Sequence, residues 1–260
     1  MKQAAIFVDG ENFRQSIVEL FWGEFDKEEY LPKHADWVGF FNWLVSQLSS
    51  LGLPHCERLR TYWYVINDLE FSPYKFPNAR ADGDKLNRVL SSNPRIKEEL
   101  SRLSGTGLTE KMEAIVKQLH AVQNQMKNRF DGWRKIQNGI ATAHFGIEFR
   151  RAGAIRYDLF EKSLGSEKAV DVKLASDMIV LKDIYDVAII VTGDQDYVPA
   201  VEIIKDFGKR VINVSFKTRG SKSLPGGSRR LNAITDGVLE AAYSDLKGFL
   251  KIGASTPPCP

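Results

Sequence analysis

Two short apolar runs constrain this chain most. Residues 4–8, AAIFV, and residues 187–191, VAIIV, contain no polar side chain. Each gives way to a turn of glycine and aspartate: Asp9-Gly10 after the first, Gly193-Asp194 after the second. An unbroken apolar run of strand length, followed by turn residues, reads as a buried strand.

Further strands are expected from aromatic and β-branched content at 59–66 (LRTYWYVI), 145–149 (FGIEF) and 209–216 (KRVINVSF), with the run at 187–194 the clearest. Between them the apolar spacing is helical. Over 36–51, Trp37, Phe40, Phe41, Leu44, Val45, Leu48 and Leu51 recur at helical intervals; Asp36 is placed to cap the start and Gly52 to close the end. Helices are also expected over 172–183, with Val172, Ala175, Ile179 and Val180 inward, from near Pro199, and over about 229–250.

The middle of the chain differs. After Ile96, Leu100 and Leu103 comes a break at Gly105-Thr106-Gly107, then a long stripe from Leu108 through Met112, Ile115, Leu119, Val122, Met126, Phe130, Trp133 and Ile136 to Ile140. One such stripe suits a crossover helix packed on the sheet. The alternative is an arm for self-association, a protein partner or substrate contact. Strands alternating with helices at this spacing predict an α/β fold, a mostly parallel central sheet flanked by helices. The organisation expected is one domain over 1–250, a helical insertion at about 91–141 and a loose tail over 251–260.

In such sheets ligands bind beyond the carboxyl ends of the strands. Asp9 lies just past the first strand, and Asp194 and Asp196 just past the fourth. Asp171 opens the helix that feeds the fourth strand, so it begins at the same edge. Converging carboxylates raise one another's pKa or bind a cation. Oxygen donors without clustered histidine or cysteine suit Mg²⁺ or Mn²⁺, which activates water and neutralises phosphodiester charge. The expected metal ligands are Asp9, Asp171 and Asp194, assisted by Asp196, with Asp177 and Asn12 as further site residues.

Each residue also has a plainer role. Asp9 and Asp194 suit turns, Asp196 could cap the helix near Pro199, and Asp171 suits a helix start. Asp177 can pair with Lys173, and six residues separate it from the face of Asp171. Asn12 could orient a water or phosphate, or cap a helix. The Thr192 hydroxyl could reach a carboxylate or phosphate, or bond locally.

The formal net charge of +3 decides little, but its distribution does more. Residues 205–230 carry Lys205, Lys209, Arg210, Lys217, Arg219, Lys222, Arg229 and Arg230 against Asp206 alone. The loop after the fifth strand should lie beside the aspartates. Lys217, Arg219, Lys222, Arg229, Arg230 and Thr192 are therefore the substrate-binding candidates. Arg150, Arg151 and Arg156 form a second basic group. Phe21, Trp22, Phe25 and Tyr30 either stack on unpaired bases or pack in the core. In the polar loop 74–85, Asp82 and Asp84 read as turn residues, with a second metal site as the alternative.

Two cysteines, Cys56 and Cys259, and four dispersed histidines give neither a disulfide framework nor a zinc site. The start, MKQAAIFVDGEN, is neither a secretory signal nor a membrane span, so a cytoplasmic location is expected.

Three segments in order, FVDGENF (7–13), KAVDVKLASDMI (168–179) and DVAIIVTGDQDYVPAVEIIKDFGKRV (186–211), resemble NYN domains of the LabA/DUF88 type, within the PIN-like nuclease group. The likeness runs from residue 4 to roughly 240 and is weakest between about 67 and 145. It implies a Rossmann-like α/β fold with an acidic pocket and metal-dependent, often endonucleolytic, cleavage of RNA. By motif, Asp9 is the first acidic residue and Asn12 the asparagine beside it. Asp171 is the aspartate of the KGVD-type segment, Asp177 a further acidic position, and Asp194 with Asp196 the GDxD pair. Lys168-Ala169 stands where Lys-Gly is usual.

The expectation is a Mg²⁺- or Mn²⁺-dependent ribonuclease acting on single-stranded RNA. No identifiable residue reads a 2′-hydroxyl, so DNA stays open. The competing readings are a non-catalytic RNA- or protein-binding module and a metal-dependent nucleotide phosphohydrolase. An aspartyl-phosphate route is disfavoured because Gly10-Glu11, not a D-x-D, follows Asp9.

Overall fold

In chain order the elements are β1 (Lys2–Asp9), α1 (Gly10–Leu20), α2 (Trp37–Gln47), β2 (Cys56–Ser72), α3 (Gly83–Leu90), α4 (Pro94–Ser101), α5 (Gly105–Ala143), β3 (Ile147–Asp158), β4 (Ser163–Lys168), α6 (Val170–Val180), β5 (Val187–Val191), α7 (Val198–Asp206), β6 (Arg210–Lys217), β7 (Ser223–Leu224), α8 (Arg229–Ile234), β8 (Gly237–Ala242) and α9 (Tyr243–Leu250). This is a computed structural model, and it describes residues 1–25, 29–73, 82–226 and 228–252. Residues 74–81 of the polar loop, and all of the tail except Lys251 and Ile252, lie outside the described residues.

The chain divides into two compact units. The first comprises Met1–Val65, Lys135–Ala152 and Ala169–Pro260. Its sheet is built as the apolar runs require. β1 lies between β2 and β5, parallel to both; β5 is parallel to β6, and β6 to β8. The short β7 is antiparallel to β6. Ala4 to Val8 and Val187 to Ile190 are each 0 % exposed, so both runs are covered on both faces. Full burial of each large apolar side chain there is worth roughly 1.5–3 kcal/mol.

Helix α2 starts and stops where its sequence dictates. Asp36 accepts from the Gly39 N–H at 2.8 Å. Beyond a short 3₁₀ turn, Gly52 closes the segment at φ 75°. Its apolar face joins an aromatic cluster with α1 and β2, Trp37 to Trp63 at 5.0 Å and Phe13 to Trp63 at 5.5 Å between ring centroids.

The second unit comprises Ile66–Arg134 and Gly153–Lys168. It has its own core: Leu90, Leu100, Ile115, Val116, Leu119, Val122 and Leu159. The first part of the stripe on α5, through Val122, therefore builds a core with α3 and α4, and Met126, Phe130, Trp133 and Ile140 farther along are buried too. β4 pairs antiparallel with β3.

Two expectations are corrected. The buried face of α6 is Val170, Leu174, Asp177 and Met178, while Val172 and Val180 are 67 % and 73 % exposed. The segment supports two apolar phases, and the one with the larger Leu and Met side chains is inward. The helix expected over 229–250 is instead α8, β8 and α9. Asp236 turns the chain by accepting from the Val211 N–H at 2.8 Å. GVLEAA then pairs with β6 from Gly237 to Ala242, so tertiary pairing overrides the helical preference of Leu, Glu and Ala.

Candidate active site

Strand register brings the first groups together. Val8 of β1 pairs with Val191 of β5, so Asp9 and Thr192 leave the sheet side by side at its carboxyl edge. The Thr192 hydroxyl donates to Asp9 Oδ2 at 3.0 Å and accepts from the Asp194 N–H at 3.2 Å. Asp9 also caps α1. Its Oδ1 accepts from the Asn12 N–H at 3.1 Å and its Oδ2 from the Asn12 side-chain amide at 2.7 Å. Gly10 makes this turn possible: a Cβ there would stand 2.3 Å from the Tyr64 carbonyl oxygen. Asp9 is 3 % exposed. Burial pushes its pKa up to about 6 against the hydrogen bonds from Asn12 and Thr192, and the nearby charge of Asp171 adds to the rise.

The turn after β5 supplies the centre of the site. Asp194 accepts from the Asp196 N–H at 2.9 Å and so caps a 3₁₀ turn, Gln195–Tyr197. Tyr197 is thereby fully buried. Its hydroxyl donates to Asp171 Oδ1 at 2.6 Å and lies 3.4 Å from Asp9 Oδ2. Burial first, and then the charges of Asp9, Asp171 and Asp194, hold this phenol protonated far above its ordinary range. Two of the sequence-derived aspartates, Asp9 and Asp171, thus meet at one hydroxyl, and Thr192 links Asp194 to Asp9. Tyr197 itself escaped the sequence reading, because an aromatic at a helix start is usually core packing. Its place directly after the GDxD pair was the available signal.

The other expected residues are placed differently. Asp196 is exposed, and its carboxylate has no hydrogen-bond partner among the described residues. The capping expected of it falls to Asp194, and α7 starts without a side-chain cap. Asn12 gives one amide N–H to Asp9, and the Thr192 proton goes there too, so both hold that carboxylate in place.

Asp177 belongs to a separate cluster. It accepts from the Tyr64 hydroxyl at 3.0 Å, Arg150 at 2.5 Å and Lys173 at 2.9 Å. Burial alone would raise its pKa, but the Lys173 and Arg150 bonds outweigh it and hold the carboxyl below its usual range. With both oxygens already compensated, Asp177 has the i,i+4 pairing with Lys173 that its spacing allowed.

Much of the positive charge is paired. Lys217 meets Glu240 at 3.0 Å. Arg219 pairs with Glu24 and lies over the Tyr243 ring at 4.1 Å, and Lys222 pairs with Glu19. Arg229 and Arg230 are exposed and have no partner among the described residues. Arg150 is taken by Asp177, Arg151 donates to Asn138 at 2.8 Å, and Arg156 pairs with Glu70 inside the second unit. Of the aromatics after α1, Phe21, Phe25 and Tyr30 are core residues, whereas Trp22 is 77 % exposed. Asp82 caps α3, accepting from the Lys85 N–H at 3.1 Å, as a turn residue would.

Among the described residues, no three His, Cys, Asp or Glu side chains are arranged around one metal position. The donor chemistry nevertheless fits a hard cation. Asp171 Oδ2 and Asp194 Oδ2 accept no hydrogen bond among the described residues, although their partner oxygens do. Two such carboxylates suit Mg²⁺, which keeps several waters and needs no closed protein cage.

Residues 82–226, more than half of the chain, match the family model of the NYN domain. The matched stretch holds Asp171, Asp177, Asp194 and Asp196, while Asp9 and Asn12 precede it. No curated protein matches. Among solved structures the chain is similar to the crystal structure of a protein of unknown function from Vibrio parahaemolyticus, at 16 % identity and a TM-score of 0.39, with 92 % of each chain covered. No helix among the described residues is long and apolar enough to cross a membrane.

Proposed function

The chain belongs to the NYN-domain family of PIN-like nucleases, and on that premise we propose that it hydrolyses phosphodiester bonds of single-stranded RNA at the pocket of Asp9, Asp171 and Asp194. One observation carries this reading: Asp9 and Asp171 meet at the Tyr197 hydroxyl, and Thr192 ties Asp194 to Asp9, beyond the carboxyl ends of β1 and β5. Mg²⁺ or Mn²⁺ bound there would neutralise phosphate charge and lower the pKa of a water.

The protein's own groups do the rest. Asp171 and Asp194 offer oxygens for a cation, and Asp9 adds the buried charge beside them, aimed by Asn12 and Thr192. Asp196, exposed at the rim, is a further carboxylate within reach of solvent ions. Arg229 and Arg230 are available to phosphates. Lys217, Arg219 and Lys222 are held by partly or largely exposed ion pairs, which are worth little and exchange for phosphate oxygens. Trp22 presents a ring on which an unpaired base can stack.

The test is cleavage of labelled single-stranded RNA, duplex RNA and single-stranded DNA, with Mg²⁺, Mn²⁺ or excess chelator. Wild type should cut the single-stranded RNA only with metal, and Asp9→Asn with Asp194→Asn should lower the rate by about 10²-fold or more. Undiminished cutting by that double variant, or in chelator, sinks the proposal. A non-catalytic RNA-binding module is the second reading. It is favoured by the lack of a three-ligand arrangement among the described residues. RNA retention without cleavage under every divalent ion would select it.

A further inference from the structure

Tyr197 has a property that its ring packing does not explain. The ring is fully buried, but its hydroxyl sits against two acidic side chains, 2.6 Å from Asp171 Oδ1 and 3.4 Å from Asp9 Oδ2. The two carboxylate oxygens are therefore no more than about 6 Å apart, with the hydroxyl within reach of both. A phenol carries one proton. That proton is the sole hydrogen bond donated to Asp171 by a side chain among the described residues. Asp9, by contrast, has Asn12 and Thr192 as well.

We propose that Tyr197 is a positioning residue whose hydroxyl stands in for a cation, holding Asp9 and Asp171 as a pair and setting how tightly the pocket takes a divalent ion. This rests on the reading of the pocket as a cation site. Two acidic groups brought together, one of them buried and the other half-buried, need a compensating positive centre, and a hydrogen-bond donor supplies part of one. An ion that draws on Asp171 takes charge from the carboxylate that holds the phenolic proton, so the bond at Oδ1 is lost as the ion enters. A neutral phenol offers little in return as a ligand. The hydroxyl therefore opposes cation entry while it keeps the carboxylates in place. A phenylalanine would fill the same ring volume without doing either.

The experiment is Mn²⁺ binding to the full chain, followed by electron paramagnetic resonance of the free ion, for wild type and Tyr197→Phe. Urea denaturation of both proteins with and without Mn²⁺ accompanies it. The expected result is about tenfold tighter Mn²⁺ binding by the variant, together with lower stability without metal and a larger gain on adding it. A purely structural hydroxyl would lower stability and leave the Mn²⁺ constant unchanged. That outcome, or weaker binding, overturns the inference. Absence of Mn²⁺ binding by both proteins overturns the cation reading and this inference together.

A second measurement needs no variant. Wild type carrying ¹³Cζ-tyrosine is titrated with Mg²⁺. One of its eight tyrosine resonances should move as the bond to Asp171 is lost, and a titration in which none moves counts against the proposal.

Discussion

At the scale of the residue, Asp9 sets function against stability. Burial lifts its pKa from 3.8 to about 6, so the folded protein holds a proton that the unfolded chain has released. The sign follows. Between about pH 4 and pH 6 the folded state binds more protons, so the contribution of Asp9 to stability falls as pH rises through that window, then levels off. A gap of that size corresponds to about 3 kcal/mol. Glu24, lowered from 4.5, and Asp177, lowered from 3.8, act with the opposite sign at the acid end of that window and below it, so the comparison must isolate Asp9. Asp9→Asn never ionises. In chelator, the stability of wild type relative to this variant should fall from pH 4 to pH 6 and stay flat above. Near pH 7 the variant should be more stable by about 1–2 kcal/mol, less than the full amount because an asparagine side chain puts an N–H₂ donor where one acceptor oxygen faced the donors of Asn12 and Thr192. Urea denaturation across that pH range checks it, and equal pH dependence in the two proteins would refute it.

The same residues show what a sequence exposes. The placement of Asp9, Asp171 and Asp194 was legible because strand ends and helix starts in a parallel sheet share one edge. Tyr197 was not, since its ring obeys the rule for core residues and only its oxygen departs from it. The partners of Asp177 were half legible. Lys173 lies one helical turn away in sequence, whereas Arg150 arrives on β3 and Tyr64 on β2.

At the scale of the element, the turn from β1 into α1 is fixed by backbone contact. A Cβ at Gly10 would meet the Tyr64 carbonyl oxygen, which is tied into the β1–β2 pairing and cannot swing aside. Gly10→Ala should therefore cost about 3 kcal/mol or more, read as a lowered midpoint in chemical denaturation. A loss below about 0.5 kcal/mol would mean that the turn relaxes freely. The Asp9-Gly10 signal announced this turn, but the reason for the glycine lies in β2, more than fifty residues on.

The loop after β6 was legible as basic but not as paired, because Glu19 and Glu24 reach it from the other end of the chain. Its state can be read from salt dependence. For single strands the logarithm of affinity falls with a slope of about −0.7 per phosphate neutralised. Arg229 and Arg230 alone give about −1.4, and exchange of Lys217, Arg219 and Lys222 as well gives about −3.5. Because these pairs are not enclosed, the steeper slope is expected for the Asp9→Asn protein on a labelled oligonucleotide by fluorescence anisotropy. Glu19→Gln with Glu24→Gln should then tighten binding. A slope near −1.4 means that the loop keeps its protein partners.

At the scale of the whole molecule, the chain builds two cores, and the longest helix contributes residues to both units. The periodicity of α5 was plain in the sequence, but periodicity does not say which elements cover a stripe. The second unit accordingly takes in 66–90 and 153–168 as well as the helical stretch. A separate core predicts separate cooperativity. Leu119, 5 % exposed and packed among Leu90, Leu100 and Ile115, is the place to test it. Leu119→Ala should remove about 2–5 kcal/mol from the element it belongs to. If that element opens as its own unit, hydrogen-exchange protection should drop across α3, α4 and the first part of α5. Protection of β1 and β5, which carry Asp9 and Asp194 at their ends, should stay where it was. Equal loss in all of them would mean that the two cores melt as one, and that the carboxylate pocket depends for its stability on a stripe of leucines and valines in the other unit.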